Sequence, residues 1–206
     1  IQDIKAELVF ELFEHGSAKR AIAGSLLAVP VTMLCRRWVS EADTIICVSQ
    51  RQAEIISKRA PELAHKIKVV YNPLPETPPL EEKFMNPTFT FTGGGSYVKG
   101  FHVFMQATLN ALKRRNRASF LLAGEFRRER GVLVRRLNEA FEKRFRLLRR
   151  LSHEDVLKLY SRSYAVLVPS ICEEPFPYVV LEAMLMGTLP IASKVGGIPE
   201  IVGGTY

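Results

Sequence analysis

From about Lys66 onward the chain alternates between short runs that are apolar on both faces and longer segments of helical period. The runs lie at 68–71, 88–92, 119–123, 145–148, 165–168 and 189–192, and they read as strands. Apolar residues at helical spacing fill 101–113, 132–143, 156–160 and 178–186. A strand with one wet face alternates apolar and polar residues, whereas a strand covered on both sides does not. Strands of the second kind, separated by helices, predict a doubly wound α/β domain built on a parallel sheet. The helix punctuation agrees. Ser152 precedes His153-Glu154-Asp155 as an N-cap with acids in the first turn, and Gly187 follows Leu185-Met186 as a stop.

Upstream, a strand at 44–48 leads through Ser49 into a helix at 50–57, with Ser49 and Gln52 at capping-box spacing. Pro73, Pro75, Pro78 and Pro79 then come too densely for regular structure and predict a stiff connector. A domain boundary is expected there, with 1–73 the remnant of a preceding domain and 74–206 the α/β domain. The chain opens on Ile1 and stops at Gly203-Gly204-Thr205-Tyr206 straight after a strand-turn pattern, so it is expected to be a piece of a longer protein. The apolar run 21–35 contains Pro30 and falls short of the ~20 residues that span a bilayer. It is expected as a core helix or two short elements, with Arg36-Arg37-Trp38 as an interfacial anchor in the alternative reading.

Composition narrows the class. The 206 residues are 47% hydrophobic and 24% charged, as in an ordinary globular protein. The net charge of +8 is concentrated: between 113 and 150, fourteen Lys and Arg face only Glu125, Glu129, Glu139 and Glu142. Such a belt attracts phosphates from any source. Aromatic residues are not interleaved as stacking platforms, so nucleic acid is not expected as a partner. A solvated basic face and peripheral contact with anionic lipid remain. Cys35, Cys47 and Cys172 are widely spaced with no CxxC pair, which fits small buried hydrophobes in a reducing, cytoplasmic setting.

The stretch from Pro169 to Met184 carries the most chemistry. Glu174 and Glu182 are separated by seven residues, the first in a loop after a strand, the second in a helix that starts near Pro177. Loops at the carboxyl edge of an open α/β sheet are where ligands bind. Glu182 lies about four residues into the helix, roughly 6 Å along its axis, with its side chain directed back toward the helix start. Both acids can then face one crevice, beside the open amides of Tyr178 and Val179, which suit a phosphate. A surface pair of glutamates on an ordinary helix is the alternative.

This segment resembles the E-x7-E signature of glycosyltransferase family 4, the group 1 glycosyltransferases. The likeness runs on through Gly187-Thr188-Leu189-Pro190-Ile191-Ala192-Ser193 and Val195-Gly196-Gly197-Ile198-Pro199-Glu200-Ile201-Val202, and upstream through Ala42-Asp43-Thr44-Ile45-Ile46 and Val69-Val70-Tyr71-Asn72. The resemblance implies a GT-B fold: a Rossmann-like doubly wound donor-binding domain, truncated at its C-terminal end, after a partial acceptor-side domain. By motif position Glu174 would contact the donor sugar as a catalytic residue and Glu182 would hold the ribose. Pro175 and Pro177 stand where the family has glycines, so sugar contacts through those two amides are not expected.

The turn Thr92-Gly93-Gly94-Gly95-Ser96-Tyr97-Val98-Lys99-Gly100 resembles the family's G-R-x-x-x-x-K-G, in which Arg and Lys clamp the donor diphosphate. Lys99 matches the lysine and is expected to be catalytic as well as donor-binding. The arginine position is Gly94, so either another basic residue substitutes or backbone amides at Gly93, Gly94 and Gly95 share the diphosphate with Lys99. Leu121-Leu122-Ala123-Gly124-Glu125 resembles the family strand that ends in Gly and an acid, with Gly124 beside the donor or in a plain turn. Arg149 and Arg150 fall in the region that receives the base. His102 and His153 are expected on the surface, and His15 comes from the part of the chain where the family places an active-site histidine.

The implied activity is retaining transfer of a hexosyl group from a UDP-, GDP- or ADP-sugar to a glycan or lipid-linked acceptor, with no metal and no further cofactor. The isolated chain is expected to transfer little. A phosphorylase, a sugar-nucleotide epimerase, a two-carboxylate hydrolase and a non-enzymatic basic binding module are the alternatives.

Overall fold

The computed structural model describes residues 33–34, 36–114, 117–148 and 150–203. His15, Arg149 and all of the run 21–35 except 33–34 lie outside the described residues. A first unit comprises β1 (Ile45–Cys47), α1 (Gln50–Arg59), a 3-10 turn (Pro61–Lys66) and β2 (Ile67–Val69), with β1 and β2 paired in parallel. Ser49 caps α1 by accepting from Gln52 N at 3.1 Å, and Gln52 Oε1 accepts from Val48 N at 2.9 Å. The reciprocal cap foreseen from spacing is present, displaced by one residue on the return bond.

After residues 70–87, which carry no helix or strand, the larger unit begins. Its elements are β3 (Thr88–Phe91), α2 (Phe101–Lys113), β4 (Ser119–Leu122), α3 (Arg128–Ala140), β5 (Phe145–Leu147), α4 (His153–Arg162), β6 (Ala165–Val168), α5 (Tyr178–Leu185), β7 (Leu189–Ala192) and α6 (Ile198–Val202). The sheet runs β5-β4-β3-β6-β7, and every pairing is parallel. This is the Rossmann-like doubly wound sheet expected from the apolar runs.

Two cores cover the two faces. One gathers Phe91, Phe104, Phe120, Leu122, Val134 and Phe145, and the other Leu157, Tyr160, Val166, Val180, Ala183 and Ile198. Register sets Phe89, Phe120 and Phe145 side by side on β3, β4 and β5, with ring centroids 5.8 and 5.5 Å apart. Neighbouring aromatic pairs of this kind add ~0.5–1.5 kcal/mol each beyond burial. On the opposite face β3 presents Thr88 and Thr90, and the buried Thr90 hydroxyl shares a 2.6 Å hydrogen bond with Ser163. Pro190 is tolerated because β7 lies at the sheet edge, where a missing N–H leaves no ladder broken.

Two helices differ from the periodicity. The segment expected at 132–143 starts at Arg128 and ends at Ala140, because Glu142 and Lys143 turn to φ 51° and 60°. Asn138 holds that reversal, its carbonyl oxygen accepting from Lys143 N and its side chain from Phe145 N, both at 2.8 Å. The helix expected at 156–160 runs from His153 to Arg162, capped by Ser152 Oγ on Asp155 N at 3.1 Å. Gly187 ends α5 with φ 62°, as expected.

The connector is tied to the larger unit. Lys83 Nζ donates to Ser163 O at 2.8 Å, Gly187 O at 3.1 Å and Thr188 Oγ1 at 2.6 Å, and its burial holds the ammonium below the ordinary lysine range.

Candidate functional site

Strand order reverses between β3 and β6: the chain leaves β3 toward β4 on one side and β6 toward β7 on the other. In an open α/β sheet the loops that follow such a pair of strands stand at the carboxyl edge where ligands bind. The loop after β3 carries Gly93, Gly94, Gly95 and Lys99, and the loop after β6 carries Ser170 and Glu174. Glu182 reaches the same edge from α5.

The two loops touch through backbone. Ile171 N donates to Val98 O at 3.0 Å. Gly100 has φ 76°, and a methyl placed on it would lie 1.8 Å from Pro169 O. Only glycine lets the loops close to this distance. That closure brings Lys99 Nζ within 2.6 Å of Glu174 Oε2. Ser170 Oγ donates to the other carboxylate oxygen, Oε1. Glu174 is 8% exposed and Lys99 about half-buried, so the carboxylate is held between two donors at the carboxyl edge of the sheet.

From behind, two glycines fix the Glu174 loop. Gly196 packs on the Glu174 backbone and Gly197 on Pro175 O, where an added methyl would stand 2.0–2.1 Å from the carbonyl oxygens. Gly197 N donates to Glu174 O at 2.8 Å. Glu173, next in sequence to Glu174, turns the other way and pairs with Arg51 at 2.7 Å while accepting from Gly196 N at 3.0 Å. The Arg51 hydrogen bond holds the Glu173 carboxyl below its ordinary range.

Glu182 is also 8% exposed and shares a 2.8 Å hydrogen bond with His153 Nε2. His153, read from sequence as a plain surface residue, is largely exposed but partners the second acid of the motif. At the start of α5, Pro177 offers no side-chain cap to the first amides, which belong to Tyr178 and Val179. Gly124, with φ 120°, lies against Gly94, where a methyl would approach Gly94 Cα to 2.9 Å. Its missing side chain thus makes room for the glycine turn itself. Arg150 sits at the outer edge of the same region, paired with Glu125 at 3.4 Å and mostly exposed.

The arrangement brings Lys99, Glu174, Ser170, Glu182, His153 and the α5 start to one sheet edge, with Arg150 at the periphery. Sequence reasoning gave Ser170 no role in the site and placed His153 on the surface without a partner. Serine after a strand and histidine at a helix start are too common to signal which acid each will meet in the fold. Among the described residues no cluster of three His, Cys, Asp or Glu is placed to hold a metal ion. Cys47 is buried, which raises its thiol above the ordinary range, and no disulfide occurs among the described residues.

Comparison with known proteins agrees with this layout. The sequence profile of the family described as glycosyl transferases group 1 matches residues 86–205, more than half of the chain. A phosphatidylinositol N-acetylglucosaminyltransferase component from Homo sapiens is 28% identical over 196 residues, covering 93% of this chain and 38% of its own. The glycogen synthase of Mycobacterium tuberculosis is 30% identical over 177 residues, covering 80% and 40%. The chain thus spans about two fifths of the length of the curated relatives it matches. Among solved structures, the pneumococcal O-GlcNAc transferase GtfA, in complex with UDP and GlcNAc, superposes with a TM-score of 0.62 at 18% identity, over 78% of this chain and 32% of that one. At that identity the likeness speaks to the fold, and the fold is GT-B as expected.

Proposed function

The chain belongs to the group 1 glycosyl transferases, and on that footing we propose that it is the donor-binding part of an enzyme that moves a hexosyl group from a nucleoside-diphosphate sugar to an acceptor hydroxyl, with retention of configuration. The observation that carries this reading is the meeting of Lys99 and the buried Glu174, 2.6 Å apart, at the sheet edge where the strand order reverses.

Departure of a nucleoside diphosphate from a sugar concentrates negative charge on the diphosphate as the bond breaks. Fixed donors in a closed cleft lower that barrier. The Lys99 ammonium has three N–H groups, and Glu174 engages one of them. The rest, with the first amides of α5, are suited to the phosphates, so this reading takes no metal. Glu174, fixed by Ser170 and Lys99, accepts a hydroxyl of the sugar, and Glu182, fixed by His153, accepts the ribose hydroxyls. Both are positioning tasks.

The relatives' names pair one lipid acceptor with one glycan product, and a glycan or a lipid-linked acceptor is proposed here. No described helix is long and apolar enough to cross a membrane. The basic belt between 113 and 150 supports peripheral contact with an anionic membrane surface from the cytoplasmic side.

Calorimetry of the full chain with UDP, GDP and ADP tests the reading. At least one should bind, and Lys99→Ala and Glu182→Ala should each weaken it about tenfold, near 1.4 kcal/mol. Wild-type affinity in both variants, or tight oligonucleotide binding without nucleotide binding, overturns it. Release of sugar 1-phosphate on adding inorganic phosphate to the full-length enzyme would assign a phosphorylase instead.

A further inference from the structure

We infer that Arg51, on α1 of the first unit, is a positioning residue for Glu174, so that recognition of the donor's sugar depends on the first unit being docked. The inference rests on the donor-binding reading above and adds to it a residue outside the larger unit.

Lys99 and Ser170 fix the side chain of Glu174, whereas its backbone is held from behind. Gly197 N donates to Glu174 O at 2.8 Å. Gly196, with φ 57°, packs so closely that a methyl there would stand 2.1 Å from the same oxygen. The place of the turn at 196–197 therefore sets the place of Glu174. Gly196 N in turn donates to Glu173 Oε2 at 3.0 Å. Arg51 grips that carboxylate with two donors, Nε to Oε2 at 3.1 Å and Nη2 to Oε1 at 2.7 Å. A guanidinium fork on both oxygens fixes the plane of a carboxylate as well as its distance, which a lysine would not.

Arg51 is itself anchored. Glu200, on α6, accepts from Gln50 N and Arg51 N, each at 2.7 Å, and from the Tyr71 hydroxyl at 3.1 Å. The cap of α1 also meets the turn, since a methyl on Gly197 would lie 3.1 Å from Ser49 Cβ. Beside these contacts Arg51, Ile55 and Ile56 line one crevice with Glu174, Pro175 and Gly196. The first unit thus bears directly on the Glu174 loop. Glu182 is steadied from elsewhere, by His153 of α4. The acid read as holding the sugar and the acid read as holding the ribose are therefore fixed by different parts of the chain. Arg51 and Glu173 are 41% and 44% exposed, and a pair that open to solvent adds little to stability. Its loss should show in sugar recognition rather than in folding.

The test uses the full chain in calorimetry, with UDP, GDP and ADP set against UDP-glucose, UDP-GlcNAc, GDP-mannose and ADP-glucose. For the sugar nucleotide that binds most tightly, the ratio of its Kd to that of its nucleoside diphosphate reports the sugar end alone. Arg51→Met keeps the stem and removes the fork. It should shift that ratio about tenfold against the sugar nucleotide, in the same direction as Glu174→Ala. The affinity for the nucleoside diphosphate and the melting temperature of the ligand-free protein should stay as they are, and Arg51→Lys should recover part of the ratio. Lys58→Met, an equal change of charge at the exposed far end of α1, should move nothing. In the ligand-free chain Arg51→Met should also speed hydrogen exchange at Gly197 N, the amide that holds Glu174 O. A ratio indifferent to Arg51, equal losses for both ligands, or unchanged exchange at Gly197 overturns the inference and leaves the donor reading standing. Failure of the wild type to bind any of these nucleotides removes the donor reading and the role of Arg51 with it.

Discussion

Substituting alanine for glycine at two positions of this chain should move stability in opposite directions. At Gly100 the new methyl would sit 1.8 Å from Pro169 O, whereas real Cβ atoms stay beyond 3.0 Å, so the loops after β3 and β6 must part by more than about 1 Å. The obstacle is a backbone carbonyl beside the Ile171–Val98 hydrogen bond, not a side chain that can swing away. A φ of 76° costs an L-residue a further ~1–2 kcal/mol. The sum is expected to reach at least ~3 kcal/mol, in the upper range for a point substitution, and a large share of the ~5–15 kcal/mol that holds a domain folded. Gly131 lies inside α3 with nothing within 4 Å of an added methyl. There Gly131→Ala should stabilise by up to ~1 kcal/mol through helix propensity alone. Urea denaturation of the two variants measures both changes at constant slope. Because Gly100 also sets the approach of Lys99 to Glu174, Gly100→Ala should lose nucleotide affinity while Gly131→Ala keeps it. A Gly100→Ala protein as stable as wild type would refute the argument that this glycine is what allows the loops to meet.

Other consequences follow from single contacts. Glu200 accepts from Gln50 N and Arg51 N, each at 2.7 Å, so Glu200→Ala should cost ~1–3 kcal/mol and speed hydrogen exchange at those two amides. Arg51 lowers the proton affinity of Glu173 in the folded state, so the pair's contribution is present above the unfolded carboxylate value of ~4.3 and fades as pH falls through the lower folded value. Melting curves of Glu173→Gln should therefore lie below wild type at neutral pH and join it in acid; a gap that persists in acid contradicts the pairing. His153→Ala should weaken nucleoside diphosphates several-fold while leaving pyrophosphate alone, since His153 steadies Glu182 and not the phosphate end. Equal losses for both probes in calorimetry would disconnect His153 from the ribose.

The architecture was legible because it rests on local patterns. Runs such as Ser-Phe-Leu-Leu and Ala-Val-Leu-Val, set between helical periods, leave a parallel sheet with two covered faces as the arrangement that buries them. Ser49, Ser152, Gly187 and the spacing of Glu174 and Glu182 act within a few residues of themselves, and each was readable on that scale. The end of α3 was misread because Glu142 and Lys143 adopt left-handed backbone that neither residue type announces.

What acts at long sequence distance was settled by folding. Nothing in α1 itself places an acid at its start; Glu200 does so from 149–150 residues away. Ser170 and His153 became partners of the two motif acids, and Glu173 faced away from its neighbour, because β3, β4, β6 and α5 converge at one sheet edge. A sequence specifies which residues prefer helix, strand or turn, since those preferences arise from each residue's own backbone and nearest neighbours. Which carboxylate meets which cation depends on distances of a few ångströms between loops set by the order of the strands, and that order exists only in the folded chain.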